Sequence, residues 1–163
     1  MIISKNISSG WKLLISILVC EAVGFISGLL SIAEIRTWFS TLNVPEWNPP
    51  SYLFGPVWTF LYFTLGVSFW LLWKKDIPSQ TKSKAQLLFL IQLFSNFLWS
   101  ILFFTFHSPF LALVDIALMI VITLFIILYF MRISQAAALL LIPYISWISF
   151  AAVLNYNIWY LNK

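Results

Sequence analysis

The sequence predicts an all-α membrane protein, a bundle of five transmembrane helices, and three observations lead there. The 163-residue chain is 62% hydrophobic and only 9% charged, whereas a soluble domain carries about 25% charged residues. Its apolar residues fall into runs of the length that crosses a bilayer, about 20 residues for roughly 30 Å of hydrocarbon. The charged residues sit almost wholly between those runs. Backbone in lipid must satisfy its own hydrogen bonds, so such runs form helices rather than open strands.

The five spans cover about 13–32, 51–73, 85–106, 110–131 and 135–160, and the whole of 1–163 reads as a single domain. Before the first span, Lys5 and Lys12 imitate a signal peptide. The run continues past Glu21 to about Ile32 without a small-residue cleavage site, which predicts an uncleaved helix. Within it, Gly24-x-x-x-Gly28 suits a close helix contact, in the bundle or in a homodimer. Cys20 is the only cysteine, so an internal disulfide is excluded and the thiol is expected to pack as a small hydrophobe. Glu21 would be a proton-relay candidate only opposite a second intramembrane acid or a histidine, and no such partner is evident.

Spans two and five carry matching stripes. Trp58, Tyr62, Gly66 and Trp70 recur every four residues, as do Trp147, Ala151, Asn155 and Trp159, so each set lies on one helix face. Small residues beside indoles leave room for a neighbouring helix or for a ligand, and helix packing is the commoner use. Gln92 and Asn96, one turn apart in span three, and Asn155 are expected to face the interior and bond across helices. Asp115 is expected near the start of span four, where an anion suits a helix N-terminus, as a structural acceptor.

The connections set the orientation. Lys74, Lys75, Asp76, Lys82 and Lys84 separate spans two and three, His107 and Pro109 mark a short turn, and Arg132 with Ser134 separates four and five. Counting positive charges puts the N-terminus in the cytoplasm and the C-terminus and first loop outside. His107 reads as an uninvolved interfacial residue rather than a haem ligand. No basic stripe lies on a polar foldable surface, so nucleic acid is not an expected partner despite the net charge of +4. No HExxH, GxGxxG, P-loop or Ser-His-Asp pattern is present, and no metal site is expected.

The segment from Trp38 to Tyr62 is the least ordinary. It sets Trp38, Phe39, Trp47, Tyr52, Phe54 and Trp58 among Pro45, Pro49, Pro50 and Pro56. Proline fixes φ and removes an amide donor, so this backbone is stiff and cannot run as plain helix. Stiff backbone carrying indoles predicts a lid or wall over a site for something flat and apolar.

Three blocks in order carry a family resemblance: Trp38-Phe39 with Pro45-Glu46-Trp47-Asn48-Pro49-Pro50 and Phe54-Gly55-Pro56-Val57-Trp58-Thr59; Gln92, Asn96 and Trp99 with Ala112-Leu113-Val114-Asp115; and Pro143-Tyr144-Ile145-Ser146-Trp147 with Phe150-Ala151 and Leu154-Asn155-Tyr156. The pattern resembles the TspO/translocator protein family, also called tryptophan-rich sensory proteins and peripheral-type benzodiazepine receptors, in a bacterial form. The resemblance implies a five-helix bundle, commonly homodimeric, that binds porphyrins and synthetic isoquinoline or benzodiazepine-type ligands under the first loop.

It further implies that Trp47, Trp147, Ala151 and Asn96 are at the pocket, and Trp38, Trp58 and Tyr62 complete the expected ligand-binding set. Protoporphyrin IX or another tetrapyrrole is the implied ligand, with no cofactor required. Light-dependent oxidative breakdown of that ligand is the implied activity, Trp47 and Trp147 being the candidate photooxidation partners. Two further readings stand beside it: a carrier of tetrapyrroles across the membrane, and a ligand-gated sensor whose lysine-rich loop meets a partner protein. The sequence departs from the family's usual Tyr at Phe39 and from the animal members' Trp at Leu111; Tyr160 replaces the Arg that ends the animal sterol motif, which argues against a sterol ligand.

Overall fold

A computed structural model describes residues 8–163; Lys5 lies outside the described residues. Among them are five helical spans long and apolar enough to cross a membrane. Helix α1 is Ser9–Arg36, α2 is Ser51–Trp73, α3 is Ser79–Ser100, α4 is Pro109–Met131, and the fifth span is α5, Gln135–Leu139, followed by α6, Ile142–Leu161. Loop one, between α1 and α2, contains a short 3-10 turn at Phe39–Thr41, and α3 ends in a π-helical turn at Ile101–Thr105.

The starts of these helices follow from local chemistry. The Ser8, Ser108 and Ser134 side chains accept from the amides of Trp11, Leu111 and Ala137, satisfying donors that a first turn leaves free. Pro109 and Pro143 occupy first-turn positions where a missing N–H costs nothing. Pro50 and Pro78 stand immediately before α2 and α3 and fix their starts.

Two expectations are corrected. Helix α3 starts at Ser79 rather than about Ala85, so Lys82 and Lys84 ride on its first turns instead of in a loop; Pro78 sets the start, and a helix continues readily into the polar interface. Helix α1 runs past Ile32 to Arg36, bringing Glu34 into its last turns. Asp115 lies beyond the first turn of α4, buried, with Ser95 Oγ donating to Oδ1 over 2.9 Å. It is the structural acceptor expected, its donor coming from the neighbouring α3.

Lipid tails are as apolar as leucine, so small residues and interhelical hydrogen bonds hold such a bundle together. A Cβ placed on Gly66 of α2 would stand 2.7 Å from Ile17 Cα of α1. Ser68 Oγ donates to Ala137 O over 2.8 Å, tying α2 to α5, and Asn155 Nδ2 donates to Pro109 O over 2.8 Å, tying α6 to α4. Trp70 Nε1 donates to Ser9 O over 3.0 Å. Around these ties lies a core in which Leu65, Leu72, Phe89, Phe130, Ala137 and Ala138 are buried. The lipid-facing exterior is apolar, with Phe60, Phe94, Phe125 and Leu128 all exposed on the protein surface.

Candidate functional site: an aromatic-walled cavity beneath loop one

At the other end of the bundle the packing opens. A cavity of about 800 Å³ lies between α1, α2, the π turn of α3 and α6, with Phe39, Asn48 and Pro49 of loop one at its mouth. That volume is within the 300–1,000 Å³ usual for small-molecule sites. The α1 wall is mixed: Glu21, Gly24, Ser27, Gly28 and Ser31 stand among the apolar side chains of Leu18, Phe25, Leu29, Ile32 and Ile35. The facing walls are aromatic: Phe54, Trp58 and Tyr62 from α2, Trp99, Phe103 and Phe104 from α3 and its π turn, and Trp147 from α6.

The two walls explain the Gly24-x-x-x-Gly28 pattern. A Cβ at Gly24 would collide with the Tyr62 ring, whereas one at Gly28 would meet nothing within 4 Å. Gly24 therefore makes a close contact inside the bundle, whereas Gly28 is exposed at the edge of the cavity. The Trp58 stripe divides the same way, with Trp58 and Tyr62 facing the cavity while Gly66 and Trp70 pack on α1. On α6, Trp147, Ala151 and Asn155 face the cavity, and Trp159 stacks obliquely on Phe110 at 5.5 Å.

Of the seven expected ligand-binding residues, Trp58, Tyr62, Trp147 and Ala151 line the cavity; Trp38, Trp47 and Asn96 do not. Trp47 is half exposed on loop one and sets its ring edge-on against Phe150 at 5.9 Å. Phe150 in turn lies 5.3 Å from Trp147, so Trp47 reaches the cavity wall through another ring. Trp38 stacks on His107 with ring centroids 4.4 Å apart. Asn96 sits behind the wall in a buried network: Tyr62 Oη donates to its Oδ1 over 2.6 Å, its Nδ2 donates to Tyr144 Oη over 2.6 Å, and Gln92 Nε2 donates to the same phenol. This network fixes the Tyr62 ring, which lines the cavity. Asn155, beside the cavity, accepts from Trp99 Nε1 over 3.1 Å and so orients a second aromatic wall.

Three buried polar atoms at the cavity lack a protein hydrogen-bond partner among the described residues: Ser27 Oγ, Asn48 Oδ1 and Trp147 Nε1. Buried polar groups are ordinarily paired, so these are groups a ligand or water would satisfy. Trp147 is the notable case, since it combines a stacking face, edge-on to Phe54 at 6.0 Å, with an unused donor.

Sequence reasoning missed Phe54 and Phe150 as wall and relay, and it missed Glu34. It read His107 as uninvolved, and that is corrected: His107 Nε2 lies 2.9 Å from Glu34 Oε2. No local spacing signals that pair, since the two residues are far apart in the chain.

The fold and cavity define a class: a multi-pass membrane protein of five helical spans with an aromatic-walled, small-molecule-sized cavity covered by its first loop. The chain belongs to the TspO/MBR family, whose model matches residues 16–161. It is 40% identical over 151 residues to the tryptophan-rich protein TspO of Archaeoglobus fulgidus, covering 93% of this chain and 97% of that protein. It is 40% identical over 148 residues to the tryptophan-rich protein TspO of Chlorobaculum tepidum, covering 88% and 91%. The similarity extends to the translocator protein of Bos taurus, 32% identical over 141 residues, covering 86% of this chain and 83% of that protein.

Proposed function

We propose that the cavity binds a flat apolar tetrapyrrole, with protoporphyrin IX the leading candidate, and that bound porphyrin is broken down oxidatively in light. The observation that carries the reading is the Trp147 wall: an indole in a cavity of about 800 Å³, edge-on to Phe54, with its N–H unpaired. Burial of a large ring is the main driving force, and indole and phenyl faces supply stacking partners. Arg36, exposed at the end of α1, is a cation near the mouth for the propionates. Synthetic isoquinoline or benzodiazepine-type ligands fit the same apolar walls.

Photochemistry asks little of the protein, because the excited ring with dioxygen supplies the oxidising power. What the chain contributes is position, exclusion of water and an oxidisable indole. Trp147 is placed for that role, as electron donor to the excited ring or as a trap for reactive oxygen. Trp47, one ring further out on Phe150, acts by holding loop one against α6 or as a second donor. Five spans without an inverted repeat or paired broken helices weigh against the carrier reading. A homodimer, and a membrane orientation with loop one outside, belong to the same proposal.

The test is protoporphyrin IX absorbance and tryptophan fluorescence in detergent, dark and illuminated, for parent and Trp147→Phe. Quenching in both with light-dependent loss of the porphyrin band only in the parent supports the reading. Equal loss rates with intact binding would remove Trp147 from the chemistry, and quenching without loss in either would leave a binding protein.

A further inference from the structure

We propose that Glu34 and His107 form a latch that holds loop one over the cavity, and that protonation of His107 tightens it. The inference rests on the cavity being a ligand site, and it concerns what governs access to it.

His107 is the one non-glycine among the described residues with positive φ, at 51°. L-residues adopt that conformation at an energetic cost and keep it where their surroundings hold them there. The turn is held on one side by the π turn, where Phe106 N donates to Ile101 O over 2.9 Å and Ser108 N to Leu102 O over 3.1 Å. On the other side the imidazole meets two groups at once. Its Nε2 lies 2.9 Å from Glu34 Oε2, and its face stacks on Trp38 with an interplanar angle of 13°. The α3–α4 turn is thereby clamped to the end of α1 and to the first residue of loop one's fold-back.

Trp38 passes that restraint inward. Its ring stands edge-on to Phe103 at 5.5 Å, and the next residue, Phe39, packs on Phe103 and Phe104, each at 6.1 Å. Phe39, Phe103 and Phe104 all line the cavity. Further along, loop one has a second fastening: Asn43 N donates to Asn162 Oδ1 over 2.9 Å, and Asn162 Nδ2 donates to Asn43 O over 2.8 Å. The asparagine pair carries no ionisable group, whereas the histidine clamp has two.

The charged groups around the imidazole are few. Glu34 and Arg36 stand on α1, Glu46 stands on loop one, the segment 101–108 has none, and the first turn of α4 has no acid. Histidine changes charge between about pH 5 and 8. As imidazolium it makes a charge-assisted hydrogen bond to Glu34 and a cation–π contact with Trp38. As neutral imidazole it retains a weaker bond and the stack. The latch is therefore tight in acid and loosens as pH rises.

The experiment measures release of protoporphyrin IX dimethyl ester, which lacks titratable carboxylates, into empty micelles at about pH 6 and pH 8. The proteins are the parent, His107→Phe and Glu34→Gln. The parent is expected to release the ester about two- to fivefold more slowly at the lower pH, the range an exposed ion pair supplies. Both variants are expected to release it at least as fast as the parent does at the higher pH; His107→Phe, which keeps a ring but neither the bond nor the charge, loses the pH dependence, and Glu34→Gln loses the part that comes from the carboxylate. A parent rate independent of pH, or the same dependence in His107→Phe, would overturn the latch. A spin label on Ser40→Cys in ligand-free protein separates the two readings. If it is immobilised in acid only when His107 is present, the latch stands even should the ester fail to bind, and that failure would instead overturn the cavity as a porphyrin site. A label insensitive to pH overturns the latch.

Discussion

Gly66 and Gly28 are both glycines in long apolar helices, yet they do opposite things. Gly66 brings α2 against the α1 backbone at Ile17, and the lysine-rich half of the bundle around it is solid. Gly28 faces open space, and the half under loop one is built around that space. Tryptophan divides likewise: Trp70 spends its N–H on Ser9, whereas Trp147 leaves its N–H unpaired at the cavity. Of these two pairs, Gly66 and Trp70 are consumed by packing in one half. In the other, Gly28 and the Trp147 N–H are left available, which is the physical signature of a binding site in a scaffold.

The sharpest way to break the comparison is to put a side chain at each glycine. Gly66→Leu is expected to cost about 3 kcal/mol or more, since overpacking here must move backbone rather than a flexible side chain; thermal unfolding in detergent measures it. Asn96→Leu should cost about 1–3 kcal/mol, because Tyr62 and Tyr144 lose a buried partner. The same melting curves rank it below Gly66→Leu, and a larger loss than Gly66→Leu would mean that the network, not the helix crossing, anchors the solid half. Gly28→Leu should leave the melting temperature nearly unchanged while weakening porphyrin binding at least about tenfold, close to 1.4 kcal/mol. Trp47→Phe should have the smallest effect: it preserves an edge contact with Phe150, so release should quicken by only about two- to threefold, within the worth of one aromatic pair.

The five spans were legible because hydropathy and proline positions dictate them: α2 matches its expected range, and α4 differs only at its first residue. The break between α5 and α6, at Leu140 and Leu141 just before Pro143, was not marked, because a hydrophobic run reads the same whether or not a turn interrupts it. At the site, Trp58, Tyr62, Trp147 and Ala151 were legible from helical spacing and motif together. The positions of Trp38 and Trp47 were not, since both lie on loop one, where proline-rich backbone has no period from which a direction can be read. The His107 clamp was invisible for a different reason. It joins residues 34 and 107, far apart in the chain, through a left-handed turn that no local pattern announces.

The most direct measurement is the affinity of parent and Gly28→Leu for protoporphyrin IX, by tryptophan quenching in detergent, with both melting curves recorded alongside. The account predicts a folded variant of parental stability whose binding is at least about tenfold weaker. A variant that folds as well as the parent and binds as tightly would contradict it, because the space beneath loop one would then not be where the ligand goes.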